Sequence, residues 1–66
     1  MQVHINGEVR SFPAGTTLAS VVEVLGIAGK RIAVERNGEI VPKSRHAQTI
    51  IVDGDHLEIV GAVGGG

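Results

Sequence analysis

The sequence predicts a two-layer α+β domain in which a mixed sheet of four to five strands carries one main helix packed on one face. Three observations predict it. Two Asn-Gly steps each separate a pair of alternating apolar runs, a single aliphatic stripe recurs at helical spacing, and one further alternating run closes the folded part.

In QVHIN, Val3 and Ile5 alternate with Gln2, His4 and Asn6, which is the period of a strand with one buried face. Asn6-Gly7 supplies the two positive φ angles of a type I′ turn, so EVRSF returns antiparallel. Val9 and Phe12 differ in parity, which predicts a bulge or an early end to this second strand. PAGTT breaks it, and Thr16 or Thr17 caps a helix whose face holds Leu18, Val21, Val22 and Leu25. Gly26 stops that helix in the left-handed region, with Ile27 packing back over its last turn. Its β-branched valines give it poor intrinsic propensity, so tertiary contact must hold it.

RIAVERNGEIVP repeats the hairpin, with Ile32 and Val34 on one side, Asn37-Gly38 as the turn and Pro42 as the stop. KSRHAQ is a polar turn or short helical piece, and TIIV a short strand or connector. DGD then turns the chain into HLEIV, a last strand with Leu57 and Ile59 facing in. One helix covers one sheet face, and the last strand inserts beside the first to fill the centre. That arrangement is the β-grasp, or ubiquitin-like, architecture.

Composition narrows the function. With 66 residues there is room for one domain, and 42% hydrophobic content with a single Phe makes the core aliphatic. A net charge of −1 and almost no aromatic surface argue against nucleic acid as a partner. Cysteine is absent, which excludes disulfides, a thiolate nucleophile and Cys-based metal sites. No leader pattern or membrane-spanning stretch is visible, so the expectation is a cytoplasmic protein with no membrane partner.

His4, His46 and His56 fit no metal-ligand spacing and read as solvated, with His4 and His56 at outward strand positions. Asp53 and Asp55 flank Gly54 and read as turn residues whose carboxylates bond nearby backbone N–H groups, not as an acid–base pair. Ser20 lies inside the helix, where it cannot serve as the attachment point of a phosphopantetheine arm. No nucleophile, base and oxyanion donor converge, so the chain reads as no enzyme in its own right.

The segment VGAVGGG ends the chain. Glycines order at high entropic cost and stabilise no fold, so residues 63–66 read as a flexible glycine tail on a domain spanning residues 1–62. Three residues reach roughly 10 Å, enough to enter a narrow channel that side chains would block.

INGEV, AGTTLASVVEVLG, IAVERNGEIVP, DGDHLEIV and the terminal diglycine together resemble the ThiS family of sulfur carriers in thiamine biosynthesis, relatives of MoaD and of ubiquitin, over essentially the whole chain. The resemblance implies that Gly66 is adenylated by a ThiF-like enzyme using ATP, then converted to a thiocarboxylate with sulfur from a sulfurtransferase or cysteine desulfurase. The thiocarboxylate would serve a ThiG-like thiazole synthase. It implies that the partner reads Gly64 and Gly65, that the carrier binds no cofactor itself, and that it is a monomer when free. Val60, with Val63 and Ile51, is the expected apolar docking surface beside the root of the tail. Two alternatives stay open: a MoaD-like carrier for molybdopterin synthesis, and a β-grasp binding module whose tail has no chemistry.

Overall fold

The computed structural model describes residues 1–61; Ala62 and the expected tail, residues 63–66, lie outside the described residues. Its elements are β1 (Gln2–Ile5), β2 (Glu8–Ser11), α1 (Leu18–Val24), β3 (Ile32–Arg36), β4 (Glu39–Val41), a 3-10 helix (Lys43–Gln48) and β5 (His56–Gly61). The strands form one mixed sheet in the order β2-β1-β5-β3-β4. The last strand in the chain is therefore central, as the β-grasp reading requires.

Both hairpins turn where Asn-Gly predicts. Asn6 and Gly7 have φ of 51° and 85°, and Asn37 and Gly38 of 52° and 88°, the paired positive angles whose twist matches that of the flanking strands. β2 pairs residue for residue with β1, from Ile5↔Glu8 to Gln2↔Ser11. The parity conflict is resolved by an early end at Ser11, which leaves Val9 exposed and lets Phe12 turn into the core.

Thr17 caps α1, its hydroxyl accepting from Ser20 N–H at 3.2 Å. At the other end Gly26, at φ 74°, donates to Glu23 O at 3.0 Å, and Ile27 donates to Val22 O at 3.2 Å. These two bonds satisfy the last helical carbonyls in the Schellman pattern and turn partly buried Ile27 onto the core. Leu18, Val21 and Val22 meet Val3, Ile5, Val34, Leu57 and Ile59 from the sheet, with Phe12 and Ile51 closing the cluster. The tertiary contact that a valine-rich helix needs is supplied there.

One expectation is corrected here. His46 is not solvated but buried, with Nε2 3.0 Å from Val41 O. The 3-10 helix packs on α1, which encloses the ring, and the carbonyl can only accept, so Nε2 carries the donated proton.

A Cβ at position 26 would meet nothing within 4 Å, so only the left-handed backbone penalises a side chain there. Gly26→Ala should lower unfolding free energy by about 1 kcal/mol, measured as a reduced urea midpoint with an unchanged slope.

Candidate functional site

β5 carries the backbone toward the terminal glycines, so whatever fixes β5 fixes where they emerge. It lies parallel to β1 through His4↔His56 and Ile5↔Leu57, and antiparallel to β3 through five pairs from Ile32↔Gly61 to Arg36↔Leu57. His4 N–H donates to Asp55 O at 2.8 Å and Asn6 N–H to Leu57 O at 2.9 Å. Past the end of β1 the Asn6 side chain takes over the ladder, its Oδ1 accepting from Ile59 N–H at 2.8 Å and its Nδ2 donating to Ile59 O at 3.0 Å. A residue chosen for its turn conformation thus also grips the strand leading to the glycines.

The start of β5 is held by Asp55, which is 3% exposed. Its Oδ2 accepts from Val52 N–H at 2.9 Å and from Arg36 Nε at 2.9 Å, and its Oδ1 accepts from Asn37 Nδ2 at 3.0 Å. Asn37 Oδ1 in turn accepts from His56 N–H at 3.0 Å. Burial alone would raise the Asp55 pKa, but the Val52, Asn37 and Arg36 hydrogen bonds and the Arg36 charge outweigh it and hold the carboxyl below its ordinary value. Asp53 Oδ1 accepts from Gln2 N–H at 2.6 Å. Both aspartates bond backbone N–H groups as their turn reading implies; the Arg36 and Asn37 partnership has no local signature, because it forms across strands.

Val60 is 56% exposed on the sheet face turned away from α1, opposite Ala33 of β3. Exposed Val9 and Ile40 stand on the same face. Ile51 corrects the expected docking surface: it is 1% exposed and belongs to the core. The cause is local pairing, since Leu18 N–H donates to Thr49 O and Ile51 N–H to Thr16 O, with Thr17 bridged to Ile50. That short antiparallel contact turns Ile50 and Val52 outward and Ile51 inward. Val63, Gly64, Gly65 and Gly66 lie outside the described residues.

On the helix side, where α1 leaves β2 uncovered, a cleft of about 450 Å³ runs to Gly61 between Ile5 and Ile59 below, Leu25 and Ile27 on one wall, and Glu8 and Arg10 on the other. The chain therefore leaves β5 with apolar surface on both faces of the sheet. Among the described residues no helix is long and apolar enough to cross a membrane, and no three metal-binding side chains cluster.

Comparison with known proteins bears on what this strand end delivers. The sequence model of the ThiS family matches residues 3–66. A thiazole synthase of Paramagnetospirillum magneticum is 52% identical over all 66 residues, which make up 20% of that protein. A thiazole synthase of Magnetococcus marinus is 38% identical with the same coverage, so the chain spans about a fifth of the length of these relatives. The sulfur carrier protein ThiS of Escherichia coli is 32% identical over the full length of both chains. The crystal structure of the thiamine biosynthesis protein ThiS from Geobacter metallireducens superposes with a TM-score of 0.85 at 26% identity, covering both chains completely.

A carboxyl group held below its ordinary value of 3.8 contributes stability that is complete above that pH and is lost as pH falls through the lowered native value. Asp55→Asn should therefore cost about 2 to 3 kcal/mol at neutral pH and flatten the acid limb of the stability profile, read by thermal melts from neutral pH down to acid.

Proposed function

The chain belongs to the ThiS family, and from that premise we propose that it is a sulfur carrier whose chemistry is confined to the Gly66 carboxylate. The observation that carries the reading is the span of the family match, which runs through residue 66 and so includes the glycine run together with the domain. Residues 1–62 act as the body and residues 63–66 as the arm.

A carboxylate is inert to sulfur nucleophiles because oxide is its leaving group. Attack of a Gly66 oxygen on the α-phosphorus of ATP, on a ThiF-like adenylating enzyme, forms an acyl adenylate and releases pyrophosphate. Free sulfide displaces AMP and leaves the thiocarboxylate directly. A persulfide on a sulfurtransferase or cysteine desulfurase displaces AMP through its terminal sulfur to give an acyl disulfide, whose S–S bond a thiol then cleaves, releasing the thiocarboxylate and leaving a disulfide on the donor. The thiocarboxylate sulfur passes to a ThiG-like thiazole synthase for assembly of the thiamine thiazole. Two relatives named thiazole synthase hold the counterpart of this chain within proteins about five times as long, which favours thiazole over molybdopterin assembly as the destination.

This chain contributes placement. β5 is locked between β1 and β3, so the arm starts from a rigid point, and Gly64 and Gly65 pass a channel too narrow for side chains. Val60, exposed beside that start, gives the activating partner an apolar contact, and Val63 extends it; Ile51, being buried, does not take part.

The reading is tested by intact mass spectrometry after incubation with ATP, the adenylating enzyme and a sulfide source. The expected product has one C-terminal oxygen replaced by sulfur, and a chain lacking Gly65 and Gly66 forms none. Absence of any adduct, or binding activity that survives the truncation, would favour a β-grasp binding module instead. Val60→Glu should keep the fold and slow adenylation at least about tenfold, since a charge in an apolar contact costs more than about 1.4 kcal/mol; pyrophosphate release measures it.

A further inference from the structure

The short helix that follows β4 packs on α1, and between them and the loop leading into β3 lies a cleft of about 180 Å³. It is open because Ala19, Ala28 and Ala47 present nothing larger than a methyl group, while Val22, Ile27 and Ile32 form its apolar floor. Lys30, Lys43 and Glu23 stand around its rim, so positive charge is in excess there. His46 lines the same cleft and is only 7% exposed.

The His46 ring has one nitrogen in use. Nε2–H donates to Val41 O at 3.0 Å, which leaves Nδ1 as an acceptor with no partner among the described residues. Every fully buried side-chain nitrogen or oxygen among those residues does have a partner, so Nδ1 is not sealed inside the protein. The open space against this otherwise buried ring is the cleft, and Nδ1 meets whatever enters it. Its aim is fixed from behind, since the bond to Val41 ties the ring to the end of β4.

We propose that this cleft binds a small phenolic acid, a single aromatic ring whose hydroxyl donates to His46 Nδ1 and whose carboxylate lies among the rim lysines. Size sets the ring: sites for drug-sized molecules run from roughly 300 Å³ upward, whereas a cavity of about 150 Å³ accepts benzene. The apolar floor sets the body of the ligand. The single buried acceptor sets the hydroxyl, because a ring without one would strip Nδ1 of water and return no hydrogen bond. Lys30 and Lys43 set the sign of the outer substituent. Nothing in this recognition involves Gly66, so it holds whether or not that residue is adenylated.

The probe is para-hydroxybenzoate, titrated into the full chain in neutral buffer and followed by amide and methyl resonances in NMR spectra. Saturable binding is expected below about 5 mM. Shifts should appear at Val22, Ile27, Ile32 and His46 but not at Glu8 and Arg10, which line only the other cleft. With the same ring and charge but no hydroxyl proton, para-methoxybenzoate should bind at least about fivefold more weakly. Ala47→Leu, made at an exposed position, should fill the cleft and abolish binding without lowering the melting temperature. Replacing both exposed lysines, Lys30→Gln with Lys43→Gln, should weaken the hydroxybenzoate at least about threefold while leaving phenol unaffected. Equal affinity for the two benzoates, binding that survives Ala47→Leu or is untouched by loss of both lysines, shifts centred on Glu8 and Arg10, or no saturation below about 5 mM would each overturn the proposal.

Discussion

One buried carboxylate joins most of what this domain has to bring together. Asp55 accepts from the connector at Val52, from Arg36 at the end of β3 and from Asn37 in the following turn, while its own carbonyl accepts the first bond of the parallel ladder from His4. A charge taken out of water is costly unless its lone pairs are filled, and here three donors fill them, one of them the Arg36 guanidinium. The arrangement is demanding in geometry, because moving any one of those segments leaves the carboxylate short of a partner. It therefore ties the entry of β5 to both of its neighbours at once. Asn6 does the same further along the strand without charge.

Rigid placement of β5 separates two kinds of physics within a small chain. The body is an aliphatic core under one helix, with side-chain bonds reserved for aligning the strand that leads out. The segment after it has almost no side chains. Exposed Val60 and the glycine run are thus adjacent in sequence but independent in what stabilises the strand before them, an arrangement that would suit the carrier role proposed above. The open sheet face remains free because a single short helix can cover only the other side.

Most of the fold was legible because its signals are local. Each Asn-Gly step specifies a turn, the Thr17 cap and Gly26 stop bound the helix, and alternation placed Val3, Ile5, Leu57 and Ile59 inward. The family resemblance likewise rests on contiguous motifs. What escaped is set by pairing between distant segments: Ile51 turns inward because its connector bonds to the segment before α1, and His46 is enclosed by the packing of a short helix. The grip of Asn6 on Ile59, the Arg36 and Asn37 contacts of Asp55 and the stacked His4–His56 rings follow from strand order, which periodicity does not encode. The roles expected of Gly64, Gly65 and Gly66 rest on the family resemblance, and these residues lie outside the described ones.

The central position of β5 has a consequence during synthesis. Of the elements described, β5 is the last that a ribosome makes, yet both β1 and β3 need it as their neighbour. Until it emerges, the two hairpins have no common sheet and the helix has half a floor to pack on. Closure of a contact between the two ends of the chain is the slow, entropy-limited kind of event. A chain that stops short of β5 thus cannot display the finished open face of the sheet, which forms only once this strand has been made.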